Sequence, residues 1–372
     1  MKAWLVVSGL LVSAQLSTSA IQQHATAQAV RVPRTTLQLT TPLALPGAVD
    51  SNSPALWDLQ AGRNTLFVMT SFAGEPHLAS GPSLRQLGSA QNVTSQPDHG
   101  LWMEAVVADD AGTWYGYYHN ELSAITCGRP DRFVTRIGAA RSVDQGRTWE
   151  DLGIVLEAPP DSVACGSSNR YVIGGVGDFS VMLDANKTDL YFFFSQYENT
   201  QAEQGVAVGR LVWANRDRPV GRVSVWNNGI WQYGRVNRSL IVTPDGMSRR
   251  FWFAYPVGTP LVPTTEAWHD NDNKVNAFWG PSVHWNTHLE QYVMLLNRAA
   301  DENYTQEGVY VAFAPRLDDP SLWTPPQKIL DGGKWYPQVM GLTVGSGTDK
   351  VADATSRFFM SGRSDFTITF EQ

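Results

Sequence analysis

The chain has 372 residues, 43% of them hydrophobic and 17% charged, with a net charge of −7. That apolar content is enough for a large core. The acidic balance and the lack of any basic cluster argue against a nucleic-acid partner, because nothing neutralises phosphates.

Lys2 precedes the apolar run AWLVVSGLLV, and Ala27-Gln28-Ala29 offers an A-x-A cleavage site, with Thr18-Ser19-Ala20 a second candidate. Residues 1–29 are therefore expected to be a signal peptide. Residues 30–372 would be the mature chain, secreted or periplasmic, with no membrane span. TTLQLT (35–40) reads as the first strand.

A short phrase then recurs: a small or apolar pocket residue, a short apolar strand, a polar turn and an aromatic-rich strand. It reads NSPALWDLQAGRNTLFV at 52–68, EAVVADDAGTWYGYYH at 104–119, DFSVMLDANKTDLYFFF at 178–194 and GPSVHWNTHLEQYVMLL at 280–296. A degenerate fifth copy starts WYPQVMGL at 335 and ends RFFMSG at 357–362. Period-2 apolar runs flanking Asp, Asn and Gly predict two adjacent antiparallel strands per copy. Repeats of this kind, with spacers long enough for two outer strands, predict an all-β, single-domain, five-bladed β-propeller. The alternating FTITF (366–370) is expected to close the last blade by pairing with 35–40.

Two local features lie between copies two and three. Cys127 (TCGRP) and Cys165 (ACGSS) are the only cysteines. An even number in an exported chain suits a disulfide, two free thiols being the alternative. Ser142-Val143-Asp144-Gln145-Gly146-Arg147-Thr148-Trp149 matches S-x-D-x-G-x-T-W, the Asp box. There Asp and Ser hold the turn backbone, Gly supplies positive φ and Trp packs beneath. It resembles the Asp boxes of sialidase-like propellers, and WNNGIW (226–231) is a weaker copy.

In a propeller the first residues of the innermost strands face a central channel, where ligands bind. Asp178 stands six residues before Asp184 and thirteen before Tyr191; Glu104 stands six before Asp110 and thirteen before Tyr117. The two carboxylates thus occupy equivalent channel-opening positions. The matching slots are Asn52 or Ser53, Gly280 and Tyr336, with Asp50 just upstream. Acids at one mouth suit glycosidic hydrolysis, which needs one protonated and one ionised carboxyl. Asn52, His119, Asn120, Glu121, Trp279, Trp335 and Tyr336 are the expected sugar contacts. HDNDN (269–273) is rich in oxygen ligands and reads as a polar turn or a structural calcium site; otherwise no cofactor or metal is expected, although His119 could hold a cation in the channel.

DFSVMLDANKTDLYFFFSQ resembles the Asp-Pro-Ser-Val-Phe…Asp…Tyr-Leu-Tyr phrase of five-bladed glycoside hydrolases of the arabinanase, β-xylosidase and invertase type. That resemblance implies a channel Asp on blade one, an Asp on blade three that tunes the acid, and a Glu acid further on. Asp178 matches the blade-three Asp. This chain has Ser53-Pro54, with Asp50 three residues earlier, where the base Asp would precede Pro. It has Trp279-Gly280-Pro281 where Glu-Gly-Pro is usual. The sequence therefore points to a monomeric, carbohydrate-active propeller. The leading reading is a glycoside hydrolase using Asp178, Glu104 and Asp50 on an oligo- or polysaccharide. A non-catalytic glycan-binding propeller is the alternative. A sialidase-like enzyme, the third reading, requires Arg141, Arg170 and Arg210 or other arginines to converge on the mouth.

Overall fold

The computed structural model describes residues 32–59, 64–95, 100–124, 127–159, 162–243, 246–269 and 274–372. The expected signal peptide, and 270–273 of the HDNDN stretch, lie outside the described residues. The described chain is all-β. It has no α-helix, only single 3-10 turns such as Leu84–Gln86 and Trp213–Asn215, and no helix is long and apolar enough to cross a membrane.

Strand β1 (Arg34–Ala44) is followed by an antiparallel meander of β2 (Ala55–Asp58), β3 (Thr65–Phe72), β4 (Glu75–Gly81) and β5 (Gln91–Asn92). After the short β6 (Thr94–Ser95), a second meander runs through β7 (Leu101–Ala108), β8 (Trp114–Ala124), β9 (Arg129–Ser142) and β10 (Thr148–Glu157). The third comprises β11 (Val172–Leu183), β12 (Asp189–Gln196), β13 (Gly205–Val212), β14 (Val223–Asn227) and β15 (Ile230–Tyr233). A separate hairpin, β16 (Arg235–Thr243) and β17 (Gly246–Ala254), follows. The fourth meander is β18 (Ala277–Asn286), β19 (Gln291–Ala299), β20 (Gln306–Ala314) and β21 (Gln327–Asp331). The last sheet joins β22 (Gln338–Met340), β24 (Thr355–Met360) and β25 (Arg363–Glu371) to β1, while β23 (Val351–Ala352) pairs with β18. Each of the repeated phrases supplies one adjacent antiparallel pair, β2·β3, β7·β8, β11·β12, β18·β19 and β22·β24, and a short parallel pairing of β11 with β9 joins the second and third meanders into one ten-stranded sheet.

The second strand of each repeat is apolar on both faces because sheets cover it on both sides. In β12, Leu190, Phe192 and Phe194 pack with Tyr115, Tyr117 and Ile137 of the second meander. Tyr191 and Phe193 pack with Val283, Met294 and Tyr310 of the fourth. The same alternation in β19 sends Val293 and Leu295 to Phe358 and Ile368 of the last sheet. β8 places Trp114 and Tyr118 beside Phe67 and Met69 of the first. Met340 and Phe359 then meet Ala55, Leu66 and Val68, returning the packing to the first meander. Each buried aromatic or aliphatic side chain contributes roughly 1.5–3 kcal/mol to this stack.

The chain ends meet. β1 pairs with β25 in the register Thr35↔Phe370 through Leu39↔Phe366, the pairing expected of 35–40 with 366–370. In the 142–149 turn, Ser142 Oγ accepts the Gly146 N–H at 2.9 Å and Asp144 Oδ1 accepts the Thr148 N–H at 2.9 Å. Gly146 has φ +81° and the Trp149 indole N–H donates to its carbonyl.

Candidate active site

Local backbone irregularity sets the first carboxylates. β7 pairs with β8 in register until a shift between Met103 and Ala105, which leaves Glu104 in a bulge. β11 shifts likewise between Gly177 and Phe179, leaving Asp178 in a bulge at φ +42°. Bulges bend a strand and re-aim a side chain, and Asp tolerates the left-handed region better than most residues. Both acids thereby turn out of the ladder toward one pocket. The nearest ligand-type atoms of Glu104, His119 and Asp178 lie within 4.8 Å of one another.

A hydrogen-bond lattice holds this cluster. The Phe179 N–H donates to Glu104 Oε2 at 2.7 Å, so the Asp178 bulge itself grips Glu104. The Asp178 N–H donates to His119 Nδ1 at 3.0 Å, which leaves Nε2 to carry the ring proton, 3.5 Å from Glu121 Oε1. The Tyr336 hydroxyl donates to Asp178 Oδ1 at 3.0 Å, and the Tyr197 hydroxyl to Oδ2. Burial and the Asp178 charge push both phenols well above their ordinary range, so they stay donors. Glu104 Oε2, His119 Nδ1 and both Asp178 oxygens thus already have protein partners, so the cluster reads as a hydrogen-bonded carboxylate site.

Electrostatics separates the acids. Burial, then the Asp178 charge, holds the Glu104 carboxyl well above the usual carboxylate range. Asp50, less buried, is raised to about 6 by burial and by the Asp178 and Glu121 charges. For His119, burial pulls downward, but the Glu121 hydrogen bond and the Asp178 and Glu104 charges push it up to about 9. The neighbouring acids thus favour a charged ring, whereas the Asp178 N–H at Nδ1 requires a neutral one with its proton on Nε2, and the 3.0 Å hydrogen bond is the stronger constraint.

The pocket has a volume of about 100 Å³. Of the expected residues it gathers Asp50, Glu104, His119, Glu121, Asp178, Trp279, Trp335 and Tyr336. Asn52 and Asn120 are not in its lining. The Asn52 amide, 4% exposed, donates to the Phe179 and Pro281 carbonyls at 2.9 and 3.0 Å. The Asn120 amide donates to the Gly100 carbonyl and accepts from Arg136 Nε, both at 2.7 Å. Buried amides of this kind are used up by backbone groups that would otherwise lack partners. Sequence reasoning missed Trp102, Tyr171, Val172 and Tyr304, which complete the wall, and Tyr197 beneath Asp178. Only Trp102 carried a signal, two residues before Glu104 on a strand of period two.

The sialidase requirement is not met among the described residues, since no arginine lines the pocket. Arg141 pairs with Glu150 and Asp217, and Arg210 lies over the Trp231 ring. Cys127 and Cys165 form a disulfide with Cα atoms 5.2 Å apart, tying the end of the β8–β9 hairpin to the loop that leads into Tyr171.

No family model matches the chain, and no curated protein matches it. Solved structures do align along most of its length. A thermostable family-43 glycoside hydrolase is 11% identical, with 88% of this chain and 91% of that one covered and a TM-score of 0.49. The α-L-arabinanase of Penicillium chrysogenum is 12% identical, over 87% and 80%, at a TM-score of 0.47. The endo-arabinase of Bacteroides thetaiotaomicron is 10% identical, over 89% and 97%, at 0.43.

Proposed function

We propose that this chain is a five-bladed β-propeller glycoside hydrolase, exported and monomeric, with its site at one mouth of the central channel. The blade reading is supported by the cycle of packing from the first meander through the last and back. The observation that carries the function is the convergence of Asp50, Glu104 and Asp178, from three different meanders, on one aromatic pocket. Glu104 keeps a proton and gives it to the leaving glycosidic oxygen. Asp178, fixed by two phenols, supplies the negative charge that keeps that proton in place. Asp50 is ionised above about pH 6 and activates water or attacks the anomeric carbon. Trp279, Trp335 and Tyr336 provide apolar walls for the sugar face.

The test is hydrolysis of a panel of 4-nitrophenyl glycosides by wild type, Asp178→Ala and Glu104→Gln. Loss of cleavage in both variants, with the fold intact by circular dichroism, supports the reading. Wild type that cleaves nothing while binding glycans favours the non-catalytic alternative, which Trp279-Gly280-Pro281 also suits.

A further inference from the structure

The shape and charge of the pocket narrow what can enter it. Its wall draws on every sheet that carries a repeat: Asp50 comes from the first meander's approach, Trp102 from the second, Tyr171 from the start of the third, Trp279 from the fourth and Trp335 from the last. A groove that let a polymer lie across it would be open on two opposite sides. Here Tyr171 and Trp335 meet edge to face at 6.1 Å across the rim. The Asn52 amide bridges the Phe179 carbonyl of the third meander and the Pro281 carbonyl of the fourth. The Gln338 amide meanwhile pairs with both backbone groups of Ser53. The Asn52 bridge ties the start of the first meander to β11 and β18, and the Gln338 bridge ties it to the neighbouring β22.

Size points the same way. Ligand pockets for drug-sized molecules span roughly 300–1,000 Å³, against about 100 Å³ here. At roughly 10–15 Å³ per water in the same measure, the space holds about seven to ten oxygen-sized atoms, the bulk of one sugar ring. Among the described residues, the acids of the lining are Asp50, Glu121, Asp178 and the protonated Glu104, with no lysine or arginine. A sugar carrying a carboxylate would face the Asp50, Glu121 and Asp178 carboxylates with no lysine or arginine to pair it, and like-charge contact of that kind is strongly unfavourable.

We propose that the pocket takes a single uncharged sugar presented end-on, so that the protein works from chain ends and rejects uronic and sialic acids. This rests on the carbohydrate reading above and specifies its substrate class.

Linear xylo-, arabino-, gluco- and manno-oligosaccharides of two to six units, with oligogalacturonates beside them, test it in the intact protein. Two readouts are taken: products at early times by chromatography, and affinity by quenching of tryptophan fluorescence. The expected result on the ladder that is accepted is release of monosaccharide with a chain one unit shorter. Affinity per chain should vary by less than about threefold with length, and oligogalacturonate should bind at least about a hundredfold more weakly. Internal fragments at early times, affinity rising tenfold or more with length, or equal binding of oligogalacturonate overturns the end-on, uncharged pocket while leaving a hydrolase. Length-independent binding without cleavage overturns the hydrolase and keeps the pocket. No binding of any ladder overturns both.

Discussion

Asp178 is held by more partners than any other group at the site, and each can be removed singly. Tyr336→Phe deletes one hydroxyl donor from its carboxylate and leaves the ring. A hydrogen bond to a charged group contributes about 1.5–3 kcal/mol, so kcat/KM on the responsive glycoside should fall about tenfold to a hundredfold. An unchanged kcat/KM would show that the phenol does not tune the site. His284 offers a residue-scale prediction of another kind. It is fully buried on β18, its ring nitrogens have no partner among the described residues, and burial, with the Lys350 charge, lowers its pKa from 6.5 to about 3. Unfolding exposes it to protonation, so its contribution is complete above about pH 6.5 and is lost as pH falls toward 3, by up to about 1.4 kcal/mol per pH unit. Asp50, raised from 3.8 to about 6, acts in the opposite sense over part of that window, being most favourable at low pH. The two are separated by comparison: His284→Leu should lose less stability than wild type between pH 7 and pH 4.5 in urea unfolding. Parallel pH curves would sink the assignment.

At the scale of the element, β25 does two jobs. It pairs with β1, and it sends Ile368 and Phe370 into the cluster shared with the fourth meander. Phe370 is 1% exposed and packs against Phe313 and the His284 ring. Phe370→Ala should cost about 3–5 kcal/mol, read as a lower denaturant midpoint with the slope unchanged; an unmoved midpoint would mean that the closing strand contributes little. This pairing was legible in the sequence because both partners alternate strictly and lie at the two ends. The inner hairpins were legible for the same reason, each being two apolar runs around a polar turn. β6 and β23 were not, since two-residue parallel bridges leave no periodic trace. Tyr304 was missed because it sits in a turn at φ +61° rather than on a strand, where no period announces which way a ring points. Asn52 and Asn120 stood at the right positions for sugar contacts, but sequence cannot tell an amide aimed at a ligand from one bonded to a neighbouring carbonyl.

Across the whole molecule, the pocket draws on every meander, with side chains from position 50 to position 336. Local melting of any one sheet would therefore dismantle it. Tryptophan fluorescence, reporting on Trp102, Trp279 and Trp335 among others, and far-ultraviolet circular dichroism should give coincident unfolding curves, as a cooperative transition requires. Fluorescence that changes first would show that the site loosens ahead of the fold.

The pairing of the first strand with the last also sets a timetable. β1 leaves the ribosome early, yet its partner at 363–371 follows only after all the intervening sheets, a delay of some tens of seconds at roughly 5–20 residues per second. Until then β1 has no neighbour, the last sheet is unfinished, and two strand edges lie open to pairing with other chains. The chain is thus most vulnerable to aggregation just before β25 is made, so any truncation that removes β25 should yield insoluble protein rather than a weaker version of the same fold.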